Sequence, residues 1–223
     1  VFFISAGNRL SDTNNAFEEP APLNNRRSNV VLKVPKVRSD DNDDWTTWAI
    51  DNEIDSRIIS YLNAYETKLF KYEEESKDPS FPSPRTWTKL SHMINGVSDL
   101  STVKIYAGSL IGEGIASEFC AFIKMSEKIN VREILKKPEL MEKYKGNDKI
   151  DQKYSIIATV AEMFGKDNKI LDDALALCKY VEPEYSMFML KMMKVYAKSN
   201  FPKMLAATKN WTRIAGDFAK YVL

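Results

Sequence analysis

Histidine is nearly missing from this chain of 223 residues: His92 stands alone. One imidazole cannot build a histidine metal cluster, and neither serine nor cysteine sits in a recognisable nucleophile setting, so hydrolase triads are not indicated. Cysteine is scarce too. Cys120 and Cys178 lie far apart inside apolar helical patterns, without a His or second Cys at ligand spacing, and read as reduced core thiols. No apolar stretch approaches the roughly 18 to 20 residues that a membrane span requires. The opening VFFISAG is too short and wrongly flanked for a signal peptide. Two phosphate-handling devices are also wanting. The one Gly-Lys pair, Gly165-Lys166, is followed by Asp167 and lies in a helical connection, so there is no Gly-x4-Gly-Lys-Ser/Thr loop. No Asp-Glu dipeptide occurs anywhere, and with it goes the usual strand-ending pair that holds Mg²⁺.

What is present is balanced. Thirty-two Lys and Arg face thirty-one Asp and Glu, a formal charge of +1, and 44% of residues are hydrophobic. The chain has enough apolar material for one large domain or two small ones, and its total charge points to neither nucleic acid nor a membrane surface. The reading is a cytoplasmic protein.

Apolar β-patterns occur only near the start. VFFIS, closed by Gly7-Asn8-Arg9, reads as a buried strand of the kind found inside parallel sheets, and Asn29 to Val34 (NVVLKV) reads as a second. The polar connection at 10–25 is longer than most structureless loops. From Trp45 onward the periods are helical. Asp55 is a plausible N-cap, and Pro84 suits the first turn of a helix running through RTWTKLSHMINGV. Further amphipathic segments are expected near 99–111, 115–128, 149–164, 168–180 and 183–222, the last divided at Asn200-Phe201-Pro202. The expected fold is mainly α: a two-strand remnant of an α/β core at 1–38, a helical lid at 39–97, and an all-helical extension at 98–223.

Three polar features have a bland and a functional explanation each. Asn8 either ends a strand in an ordinary turn or, at a strand's carboxyl end, orients a water or phosphate oxygen. Arg26 and Arg27 are either a solvated surface pair or a fork aimed at phosphate. Arg85, in the first turn of a helix, is either a tolerated surface cation or one awaiting an anion, since the helix dipole disfavours a cation there. The Met-rich MFMLKMMKVY at 187–196 reads chiefly as packing surface.

In order, AGNR, LNNRRSNVVLKV, DWTTWAIDNEIDSRIISYL and FPSPRTWTKLS resemble the second half of the MoxR-like, dynein-related branch of AAA+ ATPases. Asp43-Asp44-Trp45, Gly112-Glu113-Gly114 and Glu118-Phe119 are similar to that branch as well, so the likeness covers roughly the first 125 residues. The resemblance implies that Asn8 is sensor 1, positioning the hydrolytic water, that Arg26 is the arginine finger, and that Arg85 is sensor 2. Arg27 stands where the family usually has an aromatic residue, and it joins Arg85 as a candidate nucleotide contact. The resemblance further implies a parent that forms a ring, a hexamer by family habit, and spends ATP with Mg²⁺ to remodel or assemble protein partners or their adaptors. Without the phosphate loop and the Mg²⁺ carboxylates, the chain alone is expected to be inactive and to bind no nucleotide tightly. The alternative reading is a non-catalytic helical module that binds another protein.

Overall fold

Asp44 begins the helical part by capping α2 (Trp45–Asp51): its carboxylate accepts from the Thr47 N–H at 2.6 Å and from the Ser39 N–H at 2.9 Å. The capping pattern recurs. Asp55 caps α3 (Ser56–Ala64), and Ser83 and Thr86 exchange hydrogen bonds in a capping box at the start of α4 (Pro84–Ile94). Asp99 caps α5 (Leu100–Ile111), and Asn130 caps α7 (Val131–Lys136). Between α5 and α6 (Glu113–Ser126) a single residue, Gly112, makes the corner at φ +85°, a conformation that a side chain would strain. The rest are α8 (Ile150–Lys166), α9 (Leu171–Leu177), α10 (Pro183–Ala197), α11 (Phe201–Ala206) and α12 (Trp211–Val222).

This computed structural model describes residues 4, 6–7, 20–39, 43–73 and 79–222. They divide into two units, at 1–33 and 34–223.

In the first unit, Pro20 and Pro22 start one helical turn, α1 (Ala21–Asn24), and from Ser28 the chain has no regular secondary structure. The expected β-structure is corrected here: among the described residues there is no strand. Asn29 to Val34 takes no regular secondary structure and has no ladder partner among the described residues, and Val30, Val31, Leu32 and Val34 are exposed. Extended backbone becomes a strand only by pairing, and the described residues offer this segment no second edge. Most of the first expected strand lies outside the described residues. The described residues are therefore mainly α, and they do not support a two-strand remnant of an α/β core.

The second unit buries one continuous core. The long α8 packs against α3 and α10, α5 lies between α4 and α6, and α2 and α12 rest on α10. Packing thus crosses residue 97 freely. Trp45, Trp87, Tyr61, Tyr154, Phe119 and Phe164 are among its largest fully buried side chains. Met189, Met192 and Met193 are buried, so the methionine cluster is chiefly core. The segment entering this unit is pinned: Val37 is buried, and the Trp45 and Thr46 N–H groups donate to the carbonyls of Lys36 and Val37. Arg38 reaches Glu66 and the Tyr154 hydroxyl.

Asp44 serves two backbone donors at once. Asp44→Ala is expected to cost about 1 to 2 kcal/mol, read as a lowered thermal midpoint, with Asp44→Asn nearly neutral. An unchanged midpoint for the alanine variant would count against the cap.

Candidate functional site

Arg85 stands on the best-framed backbone of the candidate residues. Pro84 fixes the first helical φ, and the Ser83 N–H donates to Thr86 Oγ1 at 2.8 Å while Ser83 Oγ accepts from the Thr86 N–H at 3.2 Å. Two residues on, Trp87 is fully buried, and its indole N–H donates to the Lys68 carbonyl at 2.9 Å. The frame is rigid and the Arg85 side chain is exposed. It makes no ion pair among the described residues, although it sits at the positive end of the α4 dipole.

Arg26 and Arg27 belong to the other unit. Arg26 follows α1 in a turn closed by its N–H donating to the Leu23 carbonyl at 3.1 Å, and its side chain is exposed and makes no ion pair among the described residues. Arg27 is half-buried and interacts with other residues. Asn8 lies outside the described residues.

One arginine carries a role that its sequence neighbourhood does not announce. Arg57, near the start of α3, pairs with the Asp55 carboxylate at 2.6 Å and donates to the carbonyls of Ile94 and Val97, both at 2.9 Å. It ties the start of α3 to the end of α4, where the helix dipole favours a cation. The hydrogen bond to Asp55 raises the Arg57 pKa further, against the opposing effect of burial. The Asp55 cap was readable from sequence; the two carbonyls come from 37 and 40 residues away.

Arg57 also borders a cleft of about 1120 Å³ formed by α3, α6, α8 and α10. Its lining mixes signs, Glu127 and Glu162 with Arg132 and Lys198. Behind α4, Tyr61 packs on Trp87 and Phe119, with ring centroids 5.7 and 5.3 Å away. Burial first, then the neighbouring Glu118 carboxylate, pushes the Tyr61 phenol well above its ordinary range, so it stays protonated and donates toward Glu118. Among the described residues no cluster of His, Cys, Asp and Glu is arranged to hold a metal, and no helix is long and apolar enough to cross a membrane.

Compared with protein-family models, curated proteins and solved structures, the chain finds no match in any of the three.

Proposed function

We propose that this chain provides the sensing residues and helical lid of a MoxR-like AAA+ ATPase, whose parent couples ATP hydrolysis to remodelling or assembly of protein partners. The observation that carries the reading is Arg85: an exposed cation, without an ion pair among the described residues, in the first turn of a capped helix whose next turn is locked into the core. In this role Arg85 contacts the nucleotide phosphates and transmits their presence through Trp87 and α4 to the lid. Arg26, exposed after α1, reaches the nucleotide of an adjacent subunit in the ring, with Arg27 beside it. Asn8 orients the attacking water. ATP and Mg²⁺ are held by the phosphate loop and carboxylates of the parent, and cycles of hydrolysis move the lid.

The test uses the parent carrying that phosphate loop. Arg85→Ala is expected to lower ATP turnover at least tenfold, because a charge-assisted phosphate contact is lost. Lys89→Ala, on an exposed position of the same helix, should leave turnover unchanged. A parent without ATP turnover, or equal rates for the two variants, overturns the reading. In that case the second reading, a helical protein-binding module, takes its place, favoured by the cleft beside Arg57.

A further inference from the structure

The cleft beside Arg57 carries features that packing does not explain. Ser155, on its α8 wall, is 4% exposed; its carbonyl accepts from Thr159 Oγ1 at 2.8 Å, while its hydroxyl makes no hydrogen bond among the described residues. Buried hydroxyls are normally bonded, so this one holds a donor and an acceptor in reserve at the cleft wall. Glu53 and Lys198 are the two non-glycine residues with a positive φ among the described ones, at 55° and 53°, and both line the cleft. Backbone of that kind gathers at binding sites, held in place by its surroundings. Tyr196 lies there too, its ring seated on the bare backbone of Gly165, where a Cβ would come within 2.7 Å of it.

The charges lining the cleft sit at different depths. Both signs are exposed at its rim, Glu53 and Glu127 with Arg132, Lys166 and Lys198. Deeper in, the side chains of Asp55 and Glu162 are 13% and 41% exposed, against 75% for Lys166, the partner of Glu162. Arg57 is the one lining cation at that depth, and it is engaged by Asp55 and by the Ile94 and Val97 carbonyls. The field at Tyr196 is accordingly negative: after burial, the carboxylates of Glu162, Asp55 and Glu53 hold its phenol above the ordinary range, with no cation opposing them.

We propose that the cleft binds a small organic cation, a primary amine on an apolar stem. The ammonium lies between the Tyr196 ring and the carboxylate of Glu53, which makes no ion pair among the described residues, with Glu162 and Asp55 adding to the attraction. The stem rests on Ile59, Phe122, Ile123 and Met192, which line the cleft and are buried, and the Ser155 hydroxyl meets a polar atom of the stem. A volume of about 1120 Å³ admits a ligand of that kind with room to spare. An anion would face the same carboxylates and find Arg57 already engaged. This binding needs no phosphate loop, so it stands apart from the ATP-linked reading.

The experiment is calorimetric titration of the full chain with tryptamine, an indole carrying a primary ammonium, and with indole-3-propionate, which carries a carboxylate on the same ring. Tryptamine is expected to bind with a dissociation constant of about 1 mM or lower, and indole-3-propionate about tenfold more weakly or not at all. The variant E53Q/E162Q should lose tryptamine affinity about tenfold, and S155A about threefold. Glu53 is exposed and Glu162 half-buried, and glutamine keeps an acceptor for Ser56, so the melting of the double variant should stay close to that of the original chain. E53Q alone, at the exposed position, repeats the test should the double variant melt early. E139Q removes an exposed carboxylate outside the cleft lining and should bind tryptamine unchanged. Four results would overturn the proposal: no tryptamine binding up to about 10 mM, equal affinity for the two indoles, undiminished binding by the folded glutamine variants, or an equal loss in E139Q.

Discussion

Trp87→Ala should remove a large share of the stability of the helical body. The Trp87 side chain is fully buried, its ring stacks edgewise on Phe119 at 5.7 Å and lies against Tyr61, and its N–H satisfies the Lys68 carbonyl. Emptying such a site costs about 3 to 5 kcal/mol in lost transfer energy and residual cavity. The orphaned carbonyl adds a further penalty where water does not replace the donor. Typical domains have only about 5 to 15 kcal/mol in total, so one substitution consumes a large share. Urea denaturation followed by circular dichroism measures it. Trp87→Phe should lose less, keeping a ring but forfeiting the hydrogen bond. Trp48→Ala, at a position 44% exposed on α2, should cost little. Equal losses at Trp87 and Trp48 would show that burial of the Trp87 ring does not set the cost.

The helical body was legible because its helices announce themselves at their starts. Asp55 and the Pro84 turn cap or open helices as their residue types suggest, and Ile156 and Val160 fall on the buried side of α8 as the apolar spacing requires. Shorter elements were not legible. Val131–Lys136 offers under two turns of pattern between lysines, too little for a period; the expected division at Asn200-Phe201-Pro202 does fall where α11 begins, three residues after α10 ends at Ala197. Lys198 takes a positive φ of 53° there, which no residue type nearby signals.

The β-patterns misled for a different reason. NVVLKV has the composition of a buried strand, but composition specifies only what a strand would bury, and pairing requires an edge elsewhere. In the candidate site, the exposure and framing of Arg85 follow from local signals: a proline, a capping serine and a tryptophan two residues on. Arg57 was hidden because its partners are carbonyls at the far end of another helix.

On the proposed reading, Arg26→Ala in a parent that carries the phosphate loop is expected to lower ATP hydrolysis about a thousandfold or more while leaving nucleotide affinity nearly intact. An arginine supplied across a subunit boundary touches the phosphoryl group as negative charge develops on it, and contributes little to ground-state binding. Arg26 suits this work in the described structure. Its side chain is exposed after a single proline-initiated turn, and it makes no ion pair among the described residues that must first be broken. Arg27, half-buried and already engaged, is tied to its surroundings, so Arg27→Ala should affect stability more than turnover. Arg26→Lys separates charge from geometry: lysine keeps the cation but loses the planar fork, and should recover only a small part of the rate. Steady-state turnover and nucleotide titration on the same preparations provide both readouts, and mixing Arg26→Ala subunits with phosphate-loop-deficient ones tests the action between subunits. Each mixed interface that joins an intact loop to an intact Arg26 should regain activity. If Arg27→Ala abolishes turnover and Arg26→Ala does not, the finger is Arg27. If neither does, no residue of this pair acts on the transferred phosphate.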